Sequence, residues 1–459
     1  MNRLPPEILS RIAGYVPNEN ARDTRSIIPL THVCRYWRES IVSTPENWTL
    51  ISSERIGLTQ LSVERCKAAP LKIWSDMRQV KRNPWFSDLL TPHIQTTETL
   101  RFNHISVIEE LVQTLPNFPQ SMPNLRSLTL SGPWNAGWDW STDPFGPLTP
   151  PLTHLSLSDI PLYPSFLHLR TLTDLTLRSC WFNLHLDTLL DFLEGNHSLE
   201  RATLDITFAH SSLRSSQGRT VTGNRLRRLS ICSYDAMDNK ALISSIPLQR
   251  DADLEMSLCY QSTGLNDVLS LISTYLSDLQ SPAFMEYHPD KRTSIRLSGP
   301  NGSFSASCLF GSGIPFAEFP LLPLTNIREF RLIRRTSELE EFPLNPTVFP
   351  PSSLPALEAL VIEREITPLQ LLSTLFSNPS SSPSLKTLAF FNCDLDEGFM
   401  EALTRFASNR KNTTSAWLYR VVVVSSKGDL PSVTSIDVLG DHVPVVDARI
   451  GKKLPTDLV

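Results

Sequence analysis

A short template of apolar positions, apolar-x-x-apolar-x-apolar, recurs along most of the chain. Its last two apolar positions lie two residues apart, which predicts a strand with one buried side. Successive copies begin mostly about 20 to 33 residues apart, a spacing typical of stacked repeats. Weaker copies end at Ile73 and Phe102. The clear copies begin at Leu125, Leu152, Leu172, Leu199, Leu226, Ile327, Leu357, Leu385 and Leu418.

The template also predicts which side chains face the core. In the copy that begins at Leu125, Leu128 and Leu130 would point inward, while the polar residues between them would point outward. One such strand cannot bury its apolar side alone, so the copies are expected to stack as parallel strands around one core. Apolar residues at helical spacing predict covering helices at residues 186–193, 369–376 and 399–406.

The first fifty residues follow a different, helical pattern. Pro5, Pro6 and Glu7 suit the first turn of a helix, because that turn tolerates a missing N–H and favours negative charge. Two such short amphipathic helices need each other, the next segment or a partner protein to cover their apolar sides. The first apolar stripe is Leu4, Ile8, Leu9, Ile12 and Val16, and the second is Leu30, Val33, Cys34, Trp37 and Ile41.

This N-terminal block resembles an F-box, the module that joins the Skp adaptor of Skp–cullin–F-box ubiquitin ligases. The match combines a Leu-Pro-Pro-Glu-Ile start, Val-Cys-Arg-Tyr-Trp and a Pro-Glu-Asn-Trp end at Trp48, with a longer charged connector at residues 18–25. The alternative is a pair of ordinary helices packed on the rest of the protein. The resemblance implies that the adaptor would contact Leu4, Pro5, Pro6, Ile8, Leu9, Ile12, Leu30, Val33, Cys34 and Trp37.

The strand copies resemble leucine-rich repeats. Cys180 and Cys393 each follow the last apolar strand position by three residues, where cysteine-containing repeats place their cysteine. Other copies depart from this rule, at Pro133, Ile160, Thr207, Tyr234, Arg335 and Glu365. The expected fold class is α/β: a short all-α F-box followed by a curved leucine-rich-repeat-like solenoid with a parallel sheet. An unrelated α/β fold is the alternative.

These patterns divide the chain into four parts. We expect an F-box at 1–50, a linker helix and first repeat cap at 51–90, a solenoid at 91–425 and a loosely held tail at 426–459. The solenoid is irregular near 251–325, where residues 265–279 predict a helix and 299–302 predict a hairpin turn. Only faint strand copies occur there, at Leu254-x-Met256 and Ile295-x-Leu297.

Composition limits the function classes. Charged residues make up 19% of the chain and hydrophobic residues 41%, which is typical of a folded globular protein. A net charge of −5 argues against nucleic-acid binding, and no apolar run is long enough for a membrane span or signal peptide. The 7 widely spaced cysteines indicate free thiols in a reducing compartment, so we expect a cytoplasmic or nuclear protein.

A search for catalytic chemistry finds no nucleotide-binding glycine loop, nucleophile elbow or metal-binding histidine pair. We therefore expect no catalytic residues, cofactor or metal. A hydrolase or transferase within 251–325 would depend on scattered Ser and Asp residues and on His288. Trp134, Trp138 and Trp140 would form either an exposed recognition patch or a plug against the convex face.

The outward strand positions predict a strip of mixed charge. Such a strip suits a protein ligand and argues against nucleic acid, although each residue alone is equally compatible with an ordinary soluble surface. The candidate target-binding residues are Asp174, Arg178, Arg201, Asp205, Arg228, Glu329, Arg331 and Glu363.

Together, the resemblance and the repeats predict a non-catalytic substrate receptor of a Skp–cullin–F-box ubiquitin ligase. The N-terminal helices would bind the Skp adaptor and thereby the cullin complex, and the repeats would hold an unknown target protein. The alternative is a protein-interaction scaffold without a ligase, in which the N-terminal helices fold back on the array.

Overall fold

The chain forms two compact units, Met1–Leu226 and Arg227–Val459. The predicted helix at 265–279 and the three tryptophans of the 134–140 segment lie outside the residues described here. The computed structural model describes residues 4–15, 24–76, 78, 85–105, 122–132, 151–160, 162–181, 186–207, 219–222, 225–233, 242–246, 252–258, 284–289, 292–299, 302–309, 324–333, 354–363, 368–378, 382–393, 395–413, 417–425, 431 and 433–450.

The first unit begins with short helices. Helix α1 (Pro6–Tyr15) is followed by a 3₁₀ turn at Thr24–Ile27, α2 (Ile28–Thr31), α3 (Arg35–Ser43) and a second 3₁₀ turn at Pro45–Trp48. Pro5 accepts the first helical hydrogen bonds through its carbonyl, from the amides of Ile8 and Leu9 at 3.0 and 3.1 Å. The predicted start of the first helix is therefore confirmed.

A parallel sheet follows in the same unit. Its strands pair in chain order, from β1 to β7, and every printed pairing is parallel. Parallel neighbours require crossover connections, which here include α4 (Ile56–Cys66), α5 (Trp85–Leu90) and α6 (Leu186–Gly195). The strands are β1 (Leu50–Ser52), β2 (Leu71–Asp76), β3 (Thr97–Asn103), β4 (Ser127–Ser131), β5 (His154–Ser158), β6 (Asp174–Trp181) and β7 (Arg201–Thr207).

The predicted inward and outward positions are confirmed in these strands. Leu128 and Leu130 of β4 are fully buried, whereas the polar residues beside them are half-buried. The same leucine columns continue into β5 and β6, where Leu155, Leu157 and Leu177 are at most 1% exposed. One strand face therefore supplies the core of this unit.

A recurrent turn ends several strands. Backbones with positive φ occur at His104, Asp159 and Asn392, each directly after the last residue of a strand, and at Ser179, at the register shift within β6. The next residue then points back into the core: Ile105, Ile160 and Cys180 are at most 1% exposed. Ile160 thus occupies the place predicted for a repeat cysteine, and its apparent departure from the pattern is only a change of residue type.

The second unit also contains parallel sheet structure, in which β8 (Arg228–Ser233) and β9 (Asp253–Leu258) pair with each other. Beyond the irregular region, β13 (Glu329–Ile333), β14 (Ala359–Glu363), β15 (Thr387–Phe391) and β16 (Arg420–Ser425) also pair in parallel. Every clear copy of the template is therefore a strand.

The irregular region adds three strands to this sheet. Strands β10 (Phe284–Pro289), β11 (Arg292–Gly299) and β12 (Gly302–Leu309) form antiparallel hairpins, and the predicted turn between Gly299 and Gly302 is confirmed. Strand β12 pairs with β9 and β10 pairs with β13, so the insertion joins the repeats on its two sides. The faint copy at Ile295 is also a strand, β11, but β11 runs antiparallel to both of its neighbours.

The C-terminal segment corrects a second prediction. Residues 426–459 were expected to form a loose tail, but α10 (Val433–Gly440) and β17 (Val445–Ile450) extend the fold, and β17 pairs in parallel with β16. The predicted covering helices are confirmed as α7 (Pro368–Leu371), α8 (Ser373–Ser377) and α9 (Glu397–Thr413). Helix α9 is anchored by Arg410, whose buried guanidinium donates to the carbonyls of Ser382 and Leu385.

Candidate functional site

The N-terminal helices bury one apolar side within their own small core. Ala13, Ile27 and Ile41 form a buried cluster, and Leu30 and Trp37 pack against it. Trp48 closes this core: it is 1% exposed, and its indole N–H donates to the Ile41 carbonyl at 3.1 Å. Because the inner stripe is covered by the segment itself, these helices do not need a second chain to hold their core.

Apolar side chains at the start of the first helix are not covered. Leu9 and Ala13 point inward with no exposed area, while Leu4 and Ile8 are 43% and 41% exposed. Ile8 lies in the first turn of α1, and Leu4 lies just before the helix begins. Tyr15, at the end of α1, is 85% exposed.

The second predicted helix is broken, which corrects the expected geometry. The stripe from Leu30 to Ile41 suggested one continuous helix, but Cys34 is extended with φ −162° and ψ 173° and separates α2 from α3. The break lifts Val33 out of the helical stripe, and its side chain is 58% exposed. The amide of Arg38 donates to the Cys34 carbonyl at 3.0 Å, which is the first hydrogen bond of α3.

A hydrogen bond brings the two exposed regions together. The Tyr36 hydroxyl in α3 donates to the Leu4 carbonyl at 2.8 Å, so the start of α1 lies beside the first turn of α3. Val33 and Cys34 directly precede that turn. We call the resulting surface the open face and define it by Leu4, Ile8 and Val33.

The predicted adaptor-binding residues thus fall into three groups. Leu9 is fully buried, so its place is in the core and it has no free surface for a second chain. The second group is half-buried and consists of Ile12, Leu30 and Trp37, of which the last two pack against the small core. The exposed group is Leu4, Pro5, Pro6, Ile8, Val33 and Cys34. Tyr15 was missed, although its spacing from Ile8 on α1 follows the helical period.

A charged pair begins two residues after Val33 of the open face. Arg35 and Glu39 form an exposed pair at 2.6 Å on α3, one turn apart. Its hydrogen bond to Glu39 raises the pKa of Arg35. An apolar centre with a charged rim is the usual organisation of a protein-binding surface.

The predicted target-binding strip is divided between the two units. In the first unit, Asp174 of β6 is paired with Arg201 of the neighbouring β7, and Ser179 donates to Asp205 at 3.3 Å. Arg178 is exposed. These residues share the outward face of β6 and β7, as predicted.

In the second unit the Arg228 side chain is 60% exposed, about as open as Arg201, whereas the other strip residues are less exposed. Arg228 of β8 lies 3.8 Å from Glu255 of β9. Glu329 and Arg331 pair with each other along β13 at 2.5 Å, and the Glu329 side chain is only 13% exposed. Glu363, at the end of β14, is half-buried.

Two searches among the described residues give negative findings. Within these parts of the chain, no group of three or more His, Cys, Asp or Glu side chains is arranged to hold a metal ion. None of the described helices is both long and apolar enough to cross a membrane. His288, the histidine singled out in the irregular region, lies on β10.

Comparison with known proteins identifies the N-terminal block. A family model described as F-box-like matches residues 1–53, close to the predicted end at residue 50. No curated protein matches the chain. The protein therefore carries an F-box-like domain at its N-terminal end, followed by parallel-sheet structure in each of the two units.

Proposed function

We propose that this protein is the substrate-recognition subunit of a Skp–cullin–F-box ubiquitin ligase. The open face carries the proposal, because it presents exposed apolar side chains on a domain that already has a complete core. F-box domains bind Skp adaptors, and the F-box-like match covers this whole face. Binding of the adaptor would remove Leu4, Ile8 and Val33 from water, and that burial would drive association.

The backbone at this face favours binding for a second reason. Pro5 and Pro6 restrict the entry into α1, and the Tyr36 hydroxyl ties this entry to α3. A surface that is already held in place loses little conformational entropy when a partner docks. The exposed pyrrolidine rings would add apolar contact area beside Leu4.

The sheets would hold the target protein. The subunit would form or break no bond itself: a separate enzyme would transfer ubiquitin, and holding the target nearby would raise the effective concentration of its lysines. We place this assembly in the cytoplasm or the nucleus, where free thiols persist.

The alternative, a scaffold without a ligase, predicts a different exposure for the same side chains. If the N-terminal helices were folded back on later parts of the chain, Ile8 and Val33 would be covered. Their exposures of 41% and 58% do not agree with that arrangement.

Two exposed isoleucines provide a matched test. Ile8→Asp places a charge on the open face, whereas Ile56→Asp places one at the first residue of α4, where Ile56 is 44% exposed and lies outside the F-box-like match. Because buried interface charges without a partner are costly, Ile8→Asp should weaken binding to the purified Skp adaptor by about 30-fold or more. Isothermal titration measures the dissociation constants.

The control should leave the affinity within about twofold, since an acidic residue is tolerated in the first turn of a helix. Both variants must show the circular dichroism spectrum of the unchanged protein. Equal affinities for Ile8→Asp and Ile56→Asp would reject the open face as the adaptor site. Co-elution of the unchanged chain with both the Skp adaptor and a cullin tests the ligase assembly itself.

A further inference from the structure

The outward face of the first-unit sheet is polar across several strands. The register aligns Arg101, Thr129, Ser156, Thr176 and Thr203 in one row across β3 to β7. All are exposed or half-buried. Hydroxyl groups in the middle of the sheet can both donate and accept hydrogen bonds, which suits the backbone of an extended peptide.

Charges on this face have a layered arrangement around Asp174. Its carboxylate binds Arg201 on one side and lies 3.0 Å from the His154 Nε2 atom on the other. The Asp174 side chain is 18% exposed, while His154 and Arg201 are 50% and 57% exposed. The negative charge therefore lies beneath the two basic groups.

The same arrangement recurs at the end of β2. Asp76 binds Arg78 at 2.7 Å and lies 3.8 Å from the His104 Nε2 atom. Asp76 is again 18% exposed, against 64% for Arg78 and 45% for His104. In both places the carboxylate holds the basic groups in position, and the basic groups face the solvent.

Both carboxylates are ionised at neutral pH. Burial raises the pKa of Asp174, but hydrogen bonds from Arg201 and Thr173 outweigh burial and hold the pKa below its usual value. For Asp76, burial is likewise outweighed by the hydrogen bonds from Arg78, and the pKa is lowered. Fixed carboxylates of this kind preorganise the guanidinium groups that they bind.

Further basic groups on the same face have no carboxylate within ion-pair distance among the described residues. Lys72, Arg101 and Arg178 are exposed at outward positions of β2, β3 and β6. Other carboxylates near this face include Asp159 and Asp205, at the ends of β5 and β7, which are half-buried. Glu200, directly before β7, is exposed and interacts electrostatically with Arg201. At the outward strand positions the exposed charged side chains are therefore basic and the acidic ones are half-buried, although the whole chain carries a net charge of −5.

We propose that this cationic face, defined by Lys72, Arg101, His154, Arg178 and Arg201, binds an acidic segment of a protein through its Asp and Glu side chains. The inference deepens the proposed function in one respect: it rests on that function for identifying the segment as part of the ligase target. Charge complementarity favours an acidic segment as the ligand of this face. The row of hydroxyl groups between the basic groups favours an extended peptide backbone.

The probe for this proposal is a fluorescein-labelled ten-residue peptide of alternating Glu and Ser, added to the full chain at low salt. Fluorescence anisotropy should show saturable binding below about 1 mM that weakens as salt rises. A peptide of alternating Lys and Ser should not bind. No binding of the acidic peptide, or equal binding of the basic peptide, would overturn the proposal.

Variants then locate the site. The combined change Arg101→Gln, Arg178→Gln and Arg201→Gln should weaken peptide binding roughly tenfold, because three favourable surface charges are lost. Arg405→Gln is the matched control: Arg405 lies on α9 in the second unit, is 70% exposed and also bonds a carboxylate, Glu401. It should leave binding unchanged. Equal effects of the triple variant and the control would overturn the location.

Two further measurements separate the possible failures. Single-stranded DNA of matched charge should bind at least tenfold more weakly than the peptide, and equal binding would overturn the assignment to a protein segment. Adaptor binding should be unchanged in the triple variant, which shows that it is folded. Loss of adaptor binding in Ile8→Asp tests the proposed function alone, so the two proposals can fail independently.

Discussion

Strands β4 to β6 of the first unit and β14 to β16 of the second share the inward pattern but differ at their outward positions. In β4 to β6 of the first unit, leucines fill the core face and hydroxyl or charged residues occupy the outward face. In β14 to β16 of the second unit, the outward positions are also apolar and buried. This second-unit cluster consists of Val361, Ala389, Phe391, Val422 and Val424, all at most 5% exposed.

The difference shows that the inward positions build the strands and the outward positions decide what each sheet is free to do. An outward face that is already buried has no surface left for a target. The candidate residues Arg178 and Arg201 therefore stand on open protein surface, whereas Val361 and Val422, at comparable outward places, do not.

The largest expected effect separates these two faces directly. Val422→Asp would bury a charge in the second-unit cluster and should lower the free energy of unfolding by more than about 4 kcal/mol. Thr176→Asp, on the outward face of β6, should change it by less than about 1 kcal/mol. Urea denaturation followed by circular dichroism measures both. Similar losses would break the comparison; if Val422→Asp does not fold, Val422→Thr should still lose about 1–2 kcal/mol.

A second effect compares the equivalent cysteines of the two units. Cys180 and Cys393 both donate to a neighbouring strand, to the carbonyls of Leu157 and Ile362 at 3.4 and 3.3 Å. Cys180 is fully buried, and burial raises the pKa of its thiol to about 12, whereas Cys393 is only half-buried. Since the thiolate is the reactive form, Cys180 should react much more slowly with iodoacetamide at pH 8.

Mass spectrometry of timed alkylation reports both sites in one sample. Cys180 should remain unmodified until the protein unfolds, while Cys393 should be modified in the native state. Modification of the two thiols at the same rate would mean that their burial is equal, and the comparison at this position would be lost.

The smallest effect concerns a feature that the units share. Ser179, at the register shift of β6, and Asn392, directly after β15, have φ values of 49° and 53°, a conformation that β-branched residues adopt only with strain. Ser179→Val and Asn392→Val should each cost about 1–2 kcal/mol of unfolding free energy. Ser158→Val, at a regular outward strand position, is the control and should be near neutral. A neutral Ser179→Val would show that the turn is relaxed.

Much of the fold could be predicted from the sequence because the inward leucines are a local signal. Alternating positions such as Leu128 and Leu130 define a strand wherever they occur. The insertion could not be placed this way, since the pairing of β12 with β9 joins distant segments. The closed outward face did leave a signal: Val421 to Val424 is a continuous apolar run, which is typical of a strand buried on both sides.

The candidate site was only partly predictable for a related reason. Periodicity identifies an apolar helix stripe but does not say whether a residue faces its own core or a partner, so buried Leu9 and exposed Ile8 were grouped together. The break at Cys34 was missed because the apolar spacing continues through it. Packing of α1 against α3 decides both questions, and packing is not a local property of the sequence.

Alkylation of Cys34 with and without the Skp adaptor tests the central claim most directly. Cys34 is exposed beside Val33 on the unchanged protein, so no substitution is needed. We predict that saturating adaptor slows its reaction with iodoacetamide by about tenfold or more, while the rate at Cys393 stays the same. A Cys34 rate that does not change when the adaptor is bound would contradict the assignment of the open face.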